Sequence, residues 1–380
     1  MELVLTEDQA MLAKTAREFF ARTSGLVRLR RLRDANEPLA YSPDVWHKMM
    51  ELGFLSMPLP EADGGLGLGI AETVLVTEGL GRELAPEPFV PCVVLAAGLL
   101  SLRGSSDQKH AYLGPALAGK IRLALAHEEA DARGALTSCR TAAQKTQTGY
   151  RLNGRKTPVL GGQGASAFLV AARTSGAERD RRGISVFLVP NDAKGLRVER
   201  LVRVDSLNAA TLELRDVEVP ASAAVGELDD ALPALEEVVD RATVSLAGEM
   251  LGAMSSAFER TLAYLREREQ FGAKIGTFQA LQHRAARMFI DVELSRSVVM
   301  AAARAIDEGA TNAKALVSVA KARTGDAFVN ISNEAIQMHG GIGMTDEHDI
   351  GFFLKRAKVA EMTFGDGAFH RARFATLNGF

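Results

Sequence analysis

YLREREQFGAKIGTFQALQHR, residues 264 to 284, is the stretch where one long helical pattern ends at a glycine and a second begins. Upstream, Val244, Ala247, Leu251, Met254 and Phe258 recur at spacings of three and four, which predicts one apolar face of a helix reaching about Glu269. Downstream, Phe278, Leu281, Ala285, Met288, Phe289 and Val292 give a second such face. Two long antiparallel helices therefore meet at a corner that carries Arg266, Arg268 and Lys274 around Phe271-Gly272. Arginine binds phosphate in a fixed fork and glycine lets it come close, so the corner suits an anionic, planar ligand. The same arginines are also what a helix C-terminus recruits to offset its dipole.

Around this corner the period of the pattern changes twice. Before residue 120 the reading is helical: Thr6 with Gln9 forms a capping pair ahead of Met11, Leu12, Ala16, Phe19 and Phe20, and Ser42-Pro43 and Gly53 start and stop a second helix. Further helices are expected over 70–84, 88–103 and 107–118. The glycine-rich Pro58 to Gly69 has no Gly-Lys-Ser/Thr and no preceding strand, so it reads as a surface turn and not a phosphate loop. From Ile121 the period is two, with strands expected at 121–126, 149–154, 168–172, 184–190, 196–199 and 211–220. Close-set strands without intervening helices imply an antiparallel barrel or sandwich, and no dinucleotide-binding fingerprint is present. After Asp229 the pattern is helical over 231–269, 276–307, 311–338, 345–361 and 367–378. The expected fold class is a multidomain α+β protein: an all-helical domain over 1–120, a β domain over 121–227, and a four-helix bundle with an appended piece over 228–380.

Composition narrows the functions. Of 380 residues 47% are hydrophobic, ordinary for a globular chain with a large core, and a net charge of −2 with dispersed basic residues leaves no electrostatic footprint for nucleic acid. The longest apolar run, Phe89 to Leu102, is too short to span a bilayer and contains Pro91. The start, Met1-Glu-Leu-Val-Leu-Thr6, does not read as a signal peptide, so the cytoplasm is the expected location. Cys92 and Cys139 read as small core residues.

Arg268, Phe271, Gly272, Ile275 and Gln279 match R-x-x-FG-x-x-I-x-x-x-Q, and Gln337-Met-His-Gly-Gly-Ile-Gly343 matches Q-x-x-GG-x-G. Both resemble signatures of acyl-CoA dehydrogenases. Pro58 to Gly69 is similar to that family's P-x-x-x-GG-x-G turn, Leu212 to Pro220 to its last barrel strand, and the helix–strand–helix layout extends the resemblance over essentially the whole chain. The resemblance implies FAD as cofactor and a dimer or tetramer, with Arg268, Phe271, Gln279, Gln337, Gly340 and Gly341 reaching the nucleotide half of FAD held by a neighbouring identical or paralogous subunit. Asp366 stands beside these as a further cofactor contact. It also implies an acyl-CoA substrate, with an electron-transferring flavoprotein as acceptor.

In this family a carboxylate takes the α-proton of an acyl thioester while the β-hydride passes to flavin N5. The usual base lies in a Tyr-Glu-Gly-Thr segment, where this chain has Thr363-Phe364-Gly365-Asp366. Phenylalanine accepts no proton, but the Phe364 backbone N–H remains, and in the family that amide polarises the thioester carbonyl. Other members carry the base on the first bundle helix before an arginine, here Asp240-Arg241. Asp240 also continues the Val244–Phe258 stripe and is expected to point inward, either as the base or paired with a cation. Asp366 is a second carboxylate in reach of the lost position, and equally a helix N-cap.

The barrel contacts to the flavin ring differ as well. The family's T-E-x-x-x-GSD loop and K-x-W-I-T-N strand are here His127-Glu-Glu-Ala-Asp-Ala-Arg-Gly134 and Lys156-Thr-Pro-Val-Leu-Gly161, with Pro158 and Leu160 at the tryptophan and threonine positions. Three readings stay open: a catalytic acyl-CoA dehydrogenase, a subunit that completes the FAD site of a heteromeric one, and a flavin oxidase or monooxygenase. The Phe-Gly-Asp ending resembles the small subunit of pimeloyl-CoA dehydrogenases.

Overall fold

The computed structural model describes residues 4–23 and 25–380; the first three residues of the leader reading lie outside them. The chain opens with α1 (Glu7–Thr23), α2 (Leu26–Asp34), α3 (Pro43–Glu51) and α4 (Ile70–Arg82). A π-helical stretch (Val90–Ala97) runs into α5 (Gly98–Arg103), and α6 (Ser106–Gln108) and α7 (Gly114–Leu117) flank a second one. Seven strands follow: β1 (Leu123–Ala126), β2 (Ala142–Lys145), β3 (Gly149–Leu160), β4 (Ala167–Arg173), β5 (Ile184–Pro190), β6 (Leu196–Arg200) and β7 (Ala209–Pro220). The rest is α8 (Leu232–Glu267), a small hairpin of β8 (Glu269–Gln270) and β9 (Ala273–Lys274), then α9 (Gln279–Asp307), α10 (Ala313–His339), α11 (Ile350–Met362) and α12 (Gly367–Leu377).

The chain folds as two compact units. The first combines residues 1–31, 69–85 and 243–380; the second combines 32–68 and 86–242. In the first, the Thr6–Gln9 pair forms as expected, each backbone N–H donating to the other's side chain at 3.2 Å. The N-terminus of α4 is closed from a distance: Ile70 and Ala71 donate to the Asp307 carboxylate at 2.7 and 2.9 Å. The α4 and α8 backbones touch at glycines. A Cβ on Gly81 would lie 1.9 Å from the Glu249 carbonyl oxygen, and one on Gly252 1.9 Å from that of Glu78. Ile70, Val74, Val244, Ala247, Val299, Ala303 and Val317 fill the core between α4, α8, α9 and α10. The single stripe expected on α8 is in fact burial all round over residues 242–257, because neighbouring helices cover every side.

In the second unit one curled sheet runs β1-β4-β2-β3-β7-β6, with β5 paired to β4. Its backbone is the long antiparallel β3–β7 pair, from Gly149 opposite Pro220 to Leu160 opposite Ala209. Tyr150, Leu152, Val159, Phe168, Phe187, Leu212 and Val217 lie in its core. The expected antiparallel pattern holds for β2–β3, β3–β7, β4–β5 and β6–β7, whereas β4 runs parallel to β1 and, at one residue pair, to β2. Cys92 and Cys139 are buried and unbridged. Among the described residues no helix is long and apolar enough to cross a membrane, and no three metal-ligating side chains cluster.

Candidate functional site

At the corner between α8 and α9 the chain turns through the β8–β9 hairpin, whose two central residues, Phe271 (φ 55°) and Gly272 (φ 77°), both lie in the left-handed region. Glycine adopts this readily; phenylalanine does not. The Phe271 ring is 94% exposed, 6.2 Å edge-on from Phe278. Lys274, expected as part of the positive corner, is spent locally: Nζ donates to the Glu267 carbonyl at 2.9 Å and meets the Glu269 carboxylate at 2.7 Å. That lysine holds the exposed Glu269 carboxyl below the usual range. Arg266 and Arg268 stand exposed, and neither meets a carboxylate among the described residues. The fixed positive charge of the corner is therefore theirs.

The second glycine motif arrives at the same place. Tyr264, in the last turns of α8, stacks on His339, the last residue of α10, with ring centroids 4.4 Å apart and planes 27° from parallel. His348 packs 4.6 Å from His339 and edge-on to Tyr264 at 6.5 Å. Burial holds the His339 imidazole below its usual range, and its Nδ1 is 2.7 Å from the Ala335 carbonyl. This stack brings Arg268 and Gln337 to one end of the first unit. Gln279, Gln337, Gly340 and Gly341 are all exposed there. A Cβ on either glycine would meet nothing within 4 Å, so the surface is open to a ligand's approach.

A second cluster in the first unit surrounds residues 363–366. Phe364 (φ 61°) and Gly365 (φ 98°) again sit in the left-handed region, but Phe364 is only 4% exposed. Asp366 caps α12, accepting from the Phe369 N–H at 2.8 Å, so its structural reading holds: the carboxylate is occupied by the helix. Fully buried Lys321 donates from Nζ to the carbonyls of Glu361 (2.7 Å) and Gly365 (2.8 Å). His370 Nε2 lies 3.0 Å from the Phe364 carbonyl. The Phe364 N–H finds no acceptor among the described residues.

Asp240 and Arg241 belong to the second unit, on the first turns of α8. Asp240 is 7% exposed, so it points inward as its place on the stripe predicted. Arg241 donates to Glu237 at 2.7 Å, one turn back, and is partly exposed.

In the second unit the two stretches that stand for the family's flavin-side loop and strand join their charges, a contact that the sequence reading does not contain. The loop after β1 is tied to β3: Thr157 N–H donates to the Glu128 carbonyl at 2.9 Å, and Lys156, with no exposed surface, reaches the Glu129 carboxylate at 2.7 Å and Cys139 Sγ at 3.6 Å. Burial opposes ionisation of Glu129, but Lys156 and the Arg140 and Thr141 backbone donors outweigh it and hold the carboxyl low. The next residue behaves oppositely. Desolvation, with Arg203 opposing it, pushes Glu128 up to about 7. Burial and then the Lys156 charge push His127 down to about 4, and its two ring nitrogens find no partner within hydrogen-bonding geometry among the described residues. One signal could have exposed the group: Lys156 falls on the same even-numbered positions as inward-facing Tyr150 and Leu152.

Comparison with known proteins agrees along the chain. The family model described as acyl-CoA dehydrogenase, N-terminal domain, matches residues 6–120; the middle domain matches 124–217 and the C-terminal domain 233–376. The chain belongs to the acyl-CoA dehydrogenase family. It is 32% identical over 332 residues to acyl-CoA dehydrogenase FadE27 of Mycobacterium tuberculosis (strain ATCC 25618 / H37Rv), covering 86% of this chain and 85% of that one. Among solved structures it resembles a chain of the ChsE4-ChsE5 complex from Mycobacterium tuberculosis at a TM-score of 0.89 and 30% identity, over the whole of both chains. It also resembles PigA with FAD and proline, at a TM-score of 0.92 and 25% identity over 100% of this chain and 99% of that one. As in the family layout, helical first and last parts flank a curled sheet.

Proposed function

We propose that this family member is an FAD-dependent dehydrogenase that introduces an α,β double bond into an acyl-CoA thioester. The observation that carries the reading is the meeting of the two signature stretches through the Tyr264–His339 stack, which sets two uncompensated arginines beside open glycine backbone. These residues fit the nucleotide half of FAD: Arg266 and Arg268 offer charge to a diphosphate, Gln279 and Gln337 offer amides, and Gly340 and Gly341 leave room. For the ring half, His127 offers ring nitrogens that have no partner in hydrogen-bonding geometry among the described residues, with the Glu128 carboxylate 3.7 Å from Nε2. PigA with bound FAD shares the fold, which supports the same cofactor here.

FAD supplies a two-electron acceptor for the β-hydride. The protein's own part is to bind the thioester and take its α-proton, for which the buried Asp240 carboxylate of the second unit, with Arg241 next to it in sequence, is the proposed base; in the first unit the Phe364 N–H is the proposed donor to a thioester carbonyl. Asp240 suits proton abstraction because it is buried, and the glutamate of related sites is replaced by a side chain with no basic atom. In Asp240→Asn we expect anaerobic bleaching of the flavin by acyl-CoA to slow by about 10³-fold or more, with bound FAD retained. Unchanged reduction kinetics remove Asp240 from the mechanism.

A second reading is favoured by Pro158 and Leu160, which stand where an aromatic ring and a hydroxyl face the flavin in the resembling proteins, and by the similarity to one chain of a two-protein complex. In that reading the chain completes a paralogue's FAD site. A colourless protein that becomes yellow and stable only with a co-expressed paralogue supports it, whereas a yellow homo-oligomer bleached by acyl-CoA supports the first. Peroxide release on mixing with oxygen points to an oxidase, and electron transfer to an electron-transferring flavoprotein to a dehydrogenase.

A further inference from the structure

Lys321 is an expensive residue in its position. It has no exposed surface, no carboxylate within ion-pair distance among the described residues, and two backbone carbonyls as its partners. Burial draws its ammonium down to about 8. Burying a cation costs free energy that two carbonyl contacts only partly return. What those contacts do is fix a strained segment. Lys321 holds the carbonyls of Glu361 and Gly365, and His370 holds the one between them, that of Phe364.

The chemistry of His370 is consistent with a permanent donor. Desolvation, then the Lys321 charge, push it down to about 4, so it is neutral near pH 7. Its Nδ1 has no partner among the described residues, which places the proton on Nε2, the atom 3.0 Å from the Phe364 carbonyl. On the preceding side Thr363 is tied twice to Val359, through its N–H at 3.1 Å and its hydroxyl at 2.8 Å. On the following side Asp366 caps α12, and a Cβ on Gly365 would lie 2.3 Å from the Phe369 ring. The neighbours of the Phe364 N–H are anchored; the N–H itself has no acceptor among the described residues.

We propose that Lys321 and His370 are positioning residues that preset the Phe364 peptide N–H for the carbonyl oxygen of a bound acyl thioester. The proposal rests on the reading of the chain as an acyl-CoA dehydrogenase and adds the device that keeps half of the site ready after the neighbouring base was replaced. A donor that is already oriented loses no free energy to reorganisation when charge develops on the oxygen. The left-handed backbone at Phe364 and Gly365 is held by the hydrogen bonds that His370 and Lys321 make to its two carbonyls.

The test uses the holoprotein and a 3-thiaacyl-CoA series carrying 13C at the thioester carbonyl, which bind without being oxidised. Isotope-edited infrared spectra should show the wild-type band lowered from its position in water. Lys321→Met and His370→Leu should each lose about half or more of that downshift, with kcat on the matching oxidisable acyl-CoA about 10²-fold lower and KM little changed. His370→Asn, which keeps a donor, should recover most of the shift. Independently of any ligand, exchange of the 363–366 amides should accelerate by roughly tenfold or more in Lys321→Met and His370→Leu. Should Lys321→Met not fold, the His370 pair decides. Wild-type band position and exchange in the variants overturn the proposal. A wild-type holoprotein that binds the series with an unshifted band overturns it while sparing the dehydrogenase reading; failure of the whole series to bind overturns both.

Discussion

Phe271 and Phe364 share a backbone conformation and little else. Both are phenylalanines held at positive φ, 55° and 61°, each followed by a glycine that is also left-handed. One ring is 94% exposed and the other 4%. Around Phe364 the chain supplies its own restraints: a buried ammonium, a neutral imidazole and a helix cap. Around Phe271 it supplies a two-residue hairpin and one edge-on ring contact. Strained backbone persists only where something over-determines it. At Phe364 that something is the packed fold; at Phe271 it is the two-residue hairpin alone, and the proposed cofactor contact across a subunit boundary would give the exposed ring a purpose.

The largest effect that separates the two regions is on stability. Phe364→Ala keeps the turn but empties a buried ring site, and should cost about 3–5 kcal/mol in urea unfolding. A loss below about 1 kcal/mol means that the turn is packed more loosely than its burial implies, and the contrast with the elbow then disappears.

Acid should come next. The folded-state pKa of His370 is depressed to about 4 from an ordinary 6.5, so the unfolded chain binds the extra proton and the folded one resists it. The stabilisation is therefore complete above about pH 6.5 and is lost as pH falls towards 4. Between pH 7 and pH 5 this one group should withdraw about 2 kcal/mol. His127, in the second unit, is depressed in the same direction and adds to the slope. The difference between urea midpoints at the two pH values should shrink in His370→Asn. An undiminished slope means that the imidazole does not need to be neutral to hold the Phe364 carbonyl.

The two regions also differ in how far the sequence exposes them. The elbow is written locally: the periodic stripes, the break at Gly272 and the arginines lie within about twenty residues, and even the Thr6–Gln9 cap is visible as a spacing. The Phe364 turn is legible as a substitution, but its restraints come from α10 and α12 and have no local signature. Lys321 sits between Ala320 and Ala322 and looks like any helical lysine. The same limit explains the other surprises. β2, Ala-Ala-Gln-Lys, has no strand-forming composition and exists because β3 pairs with it. α2 reads as a charge run. The parallel β1–β4 pairing depends on where the intervening hairpin folds. The charges of Glu129 and Lys156 look like a solvated turn and a strand lysine until the fold joins them.

The smallest effect is the most informative about the elbow. Phe271→Gly removes an exposed ring from a left-handed position, so the relief of strain and the added freedom of the unfolded chain nearly cancel, and stability should stay within about 1 kcal/mol of wild type. Cofactor retention should not stay constant. If the ring and the neighbouring Arg268 contact the nucleotide across a subunit boundary, Phe271→Gly should weaken FAD binding several-fold, and Arg268→Ala, which removes a charge-assisted contact, by about 10–100-fold. Equilibrium dialysis of the purified oligomer against FAD reads both. A Phe271→Gly protein that loses as much stability as Phe364→Ala means that the elbow is packed by its own chain after all. One that keeps both stability and FAD leaves the strain at Phe271 without a purpose, and the argument from exposed strain to a partner-held cofactor fails with it.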